Sequence, residues 1–139
     1  QPGVVDNAGL FWDWPGYGIS IKTWNSSCKE IIPDAITGSC YLMHKLVWAA
    51  VKAFDVNLQS SHEDVDFSLR AKRLGYEVRC YPLANAIHLG NATLRHQPSH
   101  NRAAFHRDRV YVLRKHYTGI DYWTRYLTVQ LLDHLPRFS

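Results

Sequence analysis

The sequence predicts an α/β fold. Segments with a two-residue apolar period alternate along the chain with segments of helical period. Gly and Pro stand at the junctions between them. An apolar share of 46% over 139 residues is enough to build a core.

The first segment, Val4 to about Trp24, carries Phe11, Trp12, Trp14, Tyr17 and Trp24, broken by Gly9, Pro15, Gly16 and Gly18. That mixture predicts short strands and turns. From Ala35 the run Ile36-Thr37-Gly38-Ser39-Cys40-Tyr41-Leu42-Met43 reads as a mostly buried strand, interrupted by Gly38, where backbone or ligand can approach closely. Leu46 to Phe54 predicts a short helix. A second helix is expected from Ser61, whose hydroxyl can cap it with Asp64 three residues on, to Gly75 as a left-handed terminator. Phe67, Ala71 and Leu74 fall at helical spacing, with Leu69 alongside. Tyr76 to Tyr81 alternates as a strand and stops at Pro82; Ala84 to Leu89 predicts another. Gly90 to Pro98 reads as a loop, expected to be mobile. Ser99 can cap a helix running to about Tyr117, with Val110, Leu113 and Tyr117 on one face. Thr118-Gly119 breaks it, and a last amphipathic helix carries Ile120, Trp123, Leu127, Leu131, Leu135 and Phe138. The expected division is therefore a domain over residues 1–117 and a helical extension over 118–139.

No apolar run reaches the ~18 residues of a membrane span, and no signal peptide is visible. The chain starts at Gln1, which fits a fragment, a processed product or a trimmed chain. Cys28, Cys40 and Cys80 make an odd count without paired spacing, so reduced and mostly buried thiols are expected, as in a cytoplasmic protein. Two sequons, Asn25-Ser26-Ser27 and Asn91-Ala92-Thr93, matter only in a secretory compartment. The net charge of +4 is unevenly placed. Residues 1–60 hold four basic and five acidic side chains; residues 61–139 hold twelve and seven. The excess lies mainly between Arg95 and Lys115 and suits a phosphate-bearing ligand, an anionic membrane surface or nucleic acid.

The chemistry concentrates at His62-Glu63-Asp64-Val65-Asp66, three carboxylates at one helix start. The helix dipole favours negative charge there, which predicts lowered carboxylate pKa values and ionised side chains able to accept a proton. Capping alone accounts for such residues too, and Asp66 has Arg70 at i+4 to pair with. The fifth position is Asp66, so this is not the His-Glu-x-x-His zinc motif. Neither Gly-x-Gly-x-x-Gly nor a Walker-type loop is present, so a complete nucleotide-binding unit is not encoded in these residues.

The run His62-Glu63-Asp64-Val65-Asp66-Phe67-Ser68-Leu69-Arg70-Ala71-Lys72-Arg73-Leu74-Gly75-Tyr76-Glu77-Val78 resembles the Glu-Asp-x-Asp segment of family 2 glycosyltransferases, which invert and have the GT-A fold. Ala35 to Leu42, Phe54-Asp55, and Pro82-x-Ala84-x-Ala86-Ile87-His88 fit the same pattern in order. The likeness runs from about Val5 to Tyr117 and is nearest the non-processive, rhamnosyltransferase-like branch; the Gln-x-x-Arg-Trp motif of processive synthases is absent.

The resemblance implies the C-terminal, acceptor-side half of a GT-A domain: a mixed sheet with flanking helices and a C-terminal amphipathic helix. The half that binds the nucleotide-diphosphate sugar and ends in Asp-x-Asp would be a separate, missing N-terminal part. The implied acceptor is a saccharide or a lipid-linked saccharide, in cell-envelope polysaccharide synthesis. Asp64 takes the role of the base that deprotonates the acceptor hydroxyl, with Glu63 beside it. Thr37, Gly38 and Ser39 would contact substrate, and Trp14 would stack on a sugar. Arg102 or Arg107 would meet the diphosphate. His88 would complete a Mg²⁺ or Mn²⁺ site in the whole enzyme, although a lone His at a strand end is more often just hydrogen-bonded. His96 and His100, four apart, read as solvated. The implied location is cytoplasmic, peripheral on the inner face of the cell membrane if the last helix meets lipid rather than protein. Two other classes stay open. One is a non-catalytic basic module for an anionic polymer or nucleic acid, although no nucleic-acid motif is present and none is expected as partner. The other is a metal-dependent hydrolase built on His62, Glu63, Asp64 and His88.

Overall fold

The computed structural model describes residues 7–22, 29–58, 61–81, 83, 84, 86–88 and 98–134, with the side chains of 98–102 and 134 aside. Strands β1 (Leu10–Asp13) and β2 (Tyr17–Ser20) are followed by helices α1 (Lys45–Val51), α2 (Glu63–Arg73), α3 (Pro98–His116) and α4 (Gly119–His134). The chain is thus mixed α/β. Among the described residues the sheet is a two-stranded antiparallel hairpin rather than the larger mixed sheet expected.

The hairpin forms where the glycines and Pro15 placed it. Leu10 pairs with Ser20, Phe11 with Ile19, Trp12 with Gly18 and Asp13 with Tyr17. Gly16 turns the chain at φ +135°, and a Cβ there would lie 2.7 Å from Leu113 Cδ2, so only glycine lets the turn rest on α3. On its other edge Leu10 exchanges backbone hydrogen bonds with Ala35. Ala35 is fully buried and packs with Leu58, Val65 and Val112.

The strand expected beyond Ala35 does not form. Thr37 to Leu42 is turn and irregular chain, and Leu42 is entirely exposed. Tyr76 to Tyr81 likewise makes one bridge, Cys80 with Ile31, in place of a ladder. The described part of Ala84–Leu89 has no strand, and Leu83 and Ile87 are exposed. Among the described residues none of these three segments has a neighbouring strand to complete a ladder, and a strand is stable only when its backbone groups are paired.

The helices follow the sequence more closely. α1 ends in two left-handed residues, Lys52 at φ 63° and Ala53 at φ 60°. That conformation costs non-glycine residues ~1 kcal/mol or more, and it is held by the Arg70 guanidinium, which donates to the carbonyls of Val51 and Ala53. α2 ends as expected at Gly75, φ 86°. The Tyr76 amide returns to Ala71 at 3.1 Å and the Gly75 amide to Lys72 at 3.0 Å, the paired bonds of a Schellman cap. Of its expected apolar face Phe67 and Ala71 are buried, with Val65 added, whereas Leu74 is exposed beyond the last turn. The start of α2 differs from expectation. Ser61 makes no cap; His62 is the N-cap in a left-handed conformation, φ 64°, and the Ser61 hydroxyl bonds to His62 Nδ1 at 2.7 Å.

α3 crosses the molecule with Val112 and Leu113 fully buried. α4 lies against it: Asp133 accepts from Tyr17 (2.9 Å), bonds His106 (2.7 Å) and pairs with Arg109 (3.0 Å). No helix among the described residues is long and apolar enough to cross a membrane. The two described cysteines are free, but neither is buried as expected: Cys40 is exposed and Cys80 half-buried. The loop 90–97, both sequons, Trp24, Cys28, His96, Leu135 and Phe138 lie outside the described residues, as do the side chains of Ser99, His100 and Arg102.

Candidate functional site

The site begins with the turn at the N-terminus of α2. Glu63 and Asp64 are its first residues and both are half-buried. Asp64 is held by backbone. Its Oδ2 accepts from the Gly38 amide at 2.8 Å and its Oδ1 from the Val65 amide at 2.8 Å. A carboxylate has about two acceptor positions on each oxygen, so each retains one for a further donor. Gly38 belongs there for lack of a side chain: a Cβ would stand 3.3 Å from Glu63 Oε1 and 3.6 Å from Asp64 Oδ2. The niche over Gly38 is therefore flanked by both carboxylates.

Ser68 fixes this geometry from behind. It is buried, donates to the Asp64 carbonyl at 2.7 Å and accepts from the Ile36 amide at 3.1 Å. One hydroxyl thus ties α2 to the segment that carries Gly38. Thr37 and Ser39 flank the glycine with their hydroxyls 3.0 Å apart. Comparison with protein-family models, with curated proteins and with solved structures finds no match.

The electrostatics of the turn run against the sequence expectation. Burial raises the pKa of Glu63 above the ordinary range, and the neighbouring charges of Asp64 and Asp108 push the same way. Burial also raises Asp64, with the Gly38 and Val65 amides opposing it in part. The expectation that the helix dipole lowers both is corrected: loss of water outweighs it. A carboxylate moved toward the working pH is a better proton acceptor than one held far below it.

Asp66 behaves differently. It is fully buried and gathers two cations, Arg70 at 2.8 Å and Lys115 at 2.9 Å, with the His116 Nε2 at 2.8 Å. Burial alone would raise its pKa, but the hydrogen bonds from His116, Lys115 and Arg70 together hold it down. The Arg70 pairing was visible from its spacing; Lys115 and His116 arrive from α3. Asp66 is thus a structural joint between α2 and α3.

The remaining candidates separate. His62 points into the protein, its ring 4.4 Å from that of Phe105 and edge-on to Trp12 at 5.9 Å. Burial, then the charge of Arg109, pushes its pKa down to about 4, so it is neutral at pH 7. Trp14 is half exposed on the hairpin turn. Arg107 is half exposed but already matched by Asp108 at 2.7 Å, whose other oxygen accepts from the Ser61 amide. Nothing in the local sequence marks Asp108 for this part. His88 is exposed, and no group of three His, Cys, Asp or Glu that could hold a metal occurs among the described residues. His88 offers one imidazole; a divalent ion needs further ligands that those residues do not bring together. Glu63 and Asp64 line neither the cavity of about 210 Å³ beside Phe67 and Val47 nor the shallow hollow at Asp55 and Lys115.

Proposed function

We propose that this chain is the acceptor-side half of an inverting, GT-A type glycosyltransferase, with Asp64 as general base. The observation that carries the reading is the Gly38–Asp64 contact. A half-buried carboxylate with a raised pKa is fixed by two amides, has acceptor positions beyond those two bonds, and stands beside Gly38, which has no side chain. That is what the removal of a proton from a sugar hydroxyl requires. The acceptor oxygen gives its proton to Asp64 and bonds to the anomeric carbon. The bond from that carbon to the diphosphate oxygen breaks on the opposite face, so configuration inverts. Glu63, beside it and also raised, supplies a second oxygen to orient the acceptor; Thr37 and Ser39 offer hydroxyls at the rim. The nucleotide-binding half lies, in this reading, outside these 139 residues.

Exposed apolar side chains support it. Leu42, Leu83 and Ile87 are each more than nine-tenths exposed. Isolated exposed leucines are ordinary, but several large apolar side chains this exposed fit a surface that is covered in the complete protein. In the complete enzyme, Asp64→Asn lowers kcat by ~10²–10⁴-fold and leaves the donor KM nearly unchanged. Retention of most of kcat refutes the assignment. The 139-residue chain alone, given nucleotide sugars, Mn²⁺ and acceptors, shows no turnover; turnover by it would overturn the division into halves.

A further inference from the structure

The chain is anchored at Ala35 by its backbone bonds to Leu10 and then runs as turn and irregular chain to the start of α1. Among the described residues, two hydrogen bonds tie 36–43 to the rest of the chain. The Ile36 amide donates to the Ser68 hydroxyl, and the Gly38 amide donates to Asp64. The two are coupled, because Ile36 stands two residues before Gly38 and Asp64 four residues before Ser68. Ser68 gives its one proton to the Asp64 carbonyl at 2.7 Å, so toward Ile36 its oxygen can only accept, at 3.1 Å. Ser68 is 1% exposed, which leaves its hydroxyl no rotamer into solvent. The result is a closed circuit: Ser68, Ile36, Gly38, Asp64 and back along α2 to Ser68.

We propose that Ser68 is a positioning residue that governs how readily Asp64 takes up a proton, acting through Ile36 and the Gly38 amide. Burial drives the Asp64 carboxyl toward its protonated form, and the Gly38 amide is the foremost group opposing that. The Val65 amide opposes it too, but belongs to the next residue and comes with the helix. The Gly38 amide comes from 26 residues away and has to be brought. A hydrogen bond to the charged form of an acid favours that form. Without the Ser68 oxygen, Ile36 is released, Gly38 moves off Oδ2, and the carboxyl keeps its burial without the main counterweight. A base with a higher pKa stays protonated, and so idle, further up the pH scale. This bearing on catalysis rests on the reading of Asp64 as general base; the placement of the Gly38 amide does not.

The test uses the purified chain with isotope-labelled glycine and aspartate, the Asp64 carboxyl signal being the one that Asp64→Asn removes. In wild type the Gly38 amide proton shift should follow the Asp64 carboxyl titration with the same midpoint. Ser68→Ala is expected to raise that midpoint by about one pH unit, the share of one amide among the two or three that lower a carboxyl by about two. It should also uncouple the Gly38 amide from the titration. Ser68→Thr keeps a hydroxyl able to bond the carbonyl four residues back. Ser68 lines the cavity of about 210 Å³, which has room for the added methyl. Threonine is therefore expected to restore both signals. A serine that merely stabilises the fold would lower Tm in Ser68→Ala and leave midpoint and coupling unchanged; that result overturns the proposal. So does a midpoint that moves equally in Ser68→Ala and Ser68→Thr. In the complete enzyme, the acid limb of kcat against pH should rise with the midpoint in Ser68→Ala. A midpoint that moves while this limb stays put upholds the role of Ser68 and removes Asp64 as the base.

Discussion

Replacing His62 tests the packing behind the candidate site, and its size follows from one buried ring. His62 is 7% exposed, wedged between Phe105 and Trp12, with Arg109 near enough to oppose a positive charge. Its pKa lies at about 4 against an ordinary 6.5. The folded chain thus holds the ring neutral over an interval in which the unfolded chain protonates it. More protons are bound by the unfolded state there, so stability falls as pH falls from 6.5 toward 4. The loss works out at about 2 kcal/mol by pH 5 and about 3 kcal/mol by pH 4. Glu63 and Asp64 act in the opposite sense because burial raises them. The wild-type profile is therefore a sum, and a difference profile is required. His62→Asn suits this because asparagine tolerates the left-handed φ of 64°. Loss of ring packing is a constant offset at every pH; the charge contribution is the part that changes. Urea unfolding of wild type and His62→Asn from pH 7 to pH 5 should show the wild type's advantage shrinking by about 2 kcal/mol. A flat difference, or a His62 ring titrating near 6.5 by NMR, refutes the argument.

Asp66→Ala leaves Arg70, Lys115 and His116 crowded without their shared anion; breaking such a buried set costs about 3 kcal/mol, or ~10 °C in Tm for a chain of this size, and a change under 2 °C in thermal denaturation would refute the joint. Asp64→Asn should raise Tm at pH 7, because the native state favours the protonated carboxyl, and that gain should vanish at acid pH where wild-type Asp64 is itself protonated; a lower Tm at pH 7 contradicts the raised pKa. Gly75→Ala meets open space and carries only the ~1 kcal/mol of its positive φ, while Gly16→Ala also strikes Leu113 and should cost at least ~2 kcal/mol; equal losses in chemical denaturation would remove the close approach of hairpin and α3.

What the sequence made legible was local. The Gly75 terminator, the Asp66–Arg70 pair and the short strands and turn about Pro15 each depend on residues within one or two turns of chain, where spacing alone decides geometry. The Asp64–Gly38 contact spans 26 residues and the His116–Asp66 contact 50, and no local pattern encodes which distant amide or imidazole arrives. The Ser61 cap failed for a related reason: the chain is turned at His62 so that its ring can pack on Phe105, a contact from α3 that outweighs a local preference. Tyr76–Tyr81 had the alternation of a strand, but alternation specifies faces and not a neighbour. Burial overrode the helix dipole at Glu63 and Asp64 because solvent exclusion depends on everything packed around them.

The N-terminal hairpin is clasped by the C-terminal end of the described chain. Trp12 Nε1 donates to the Tyr117 hydroxyl across 105 residues, and the Tyr17 hydroxyl donates to Asp133 across 116. During synthesis the hairpin emerges before these partners and waits for them, at ~5–20 residues per second, for on the order of ten seconds. A two-stranded hairpin is marginal by itself, so for that interval its indole and phenol rings are without their final neighbours. The same closure makes for a high contact order, and folding should be slower than the helical content alone suggests. A chain truncated after Gly119 would keep Tyr117 but lack Asp133. Pulse proteolysis of it should cut within Leu10–Ser20 while sparing α2; protection of the hairpin equal to that in the full chain would show that α4 is not what holds it shut.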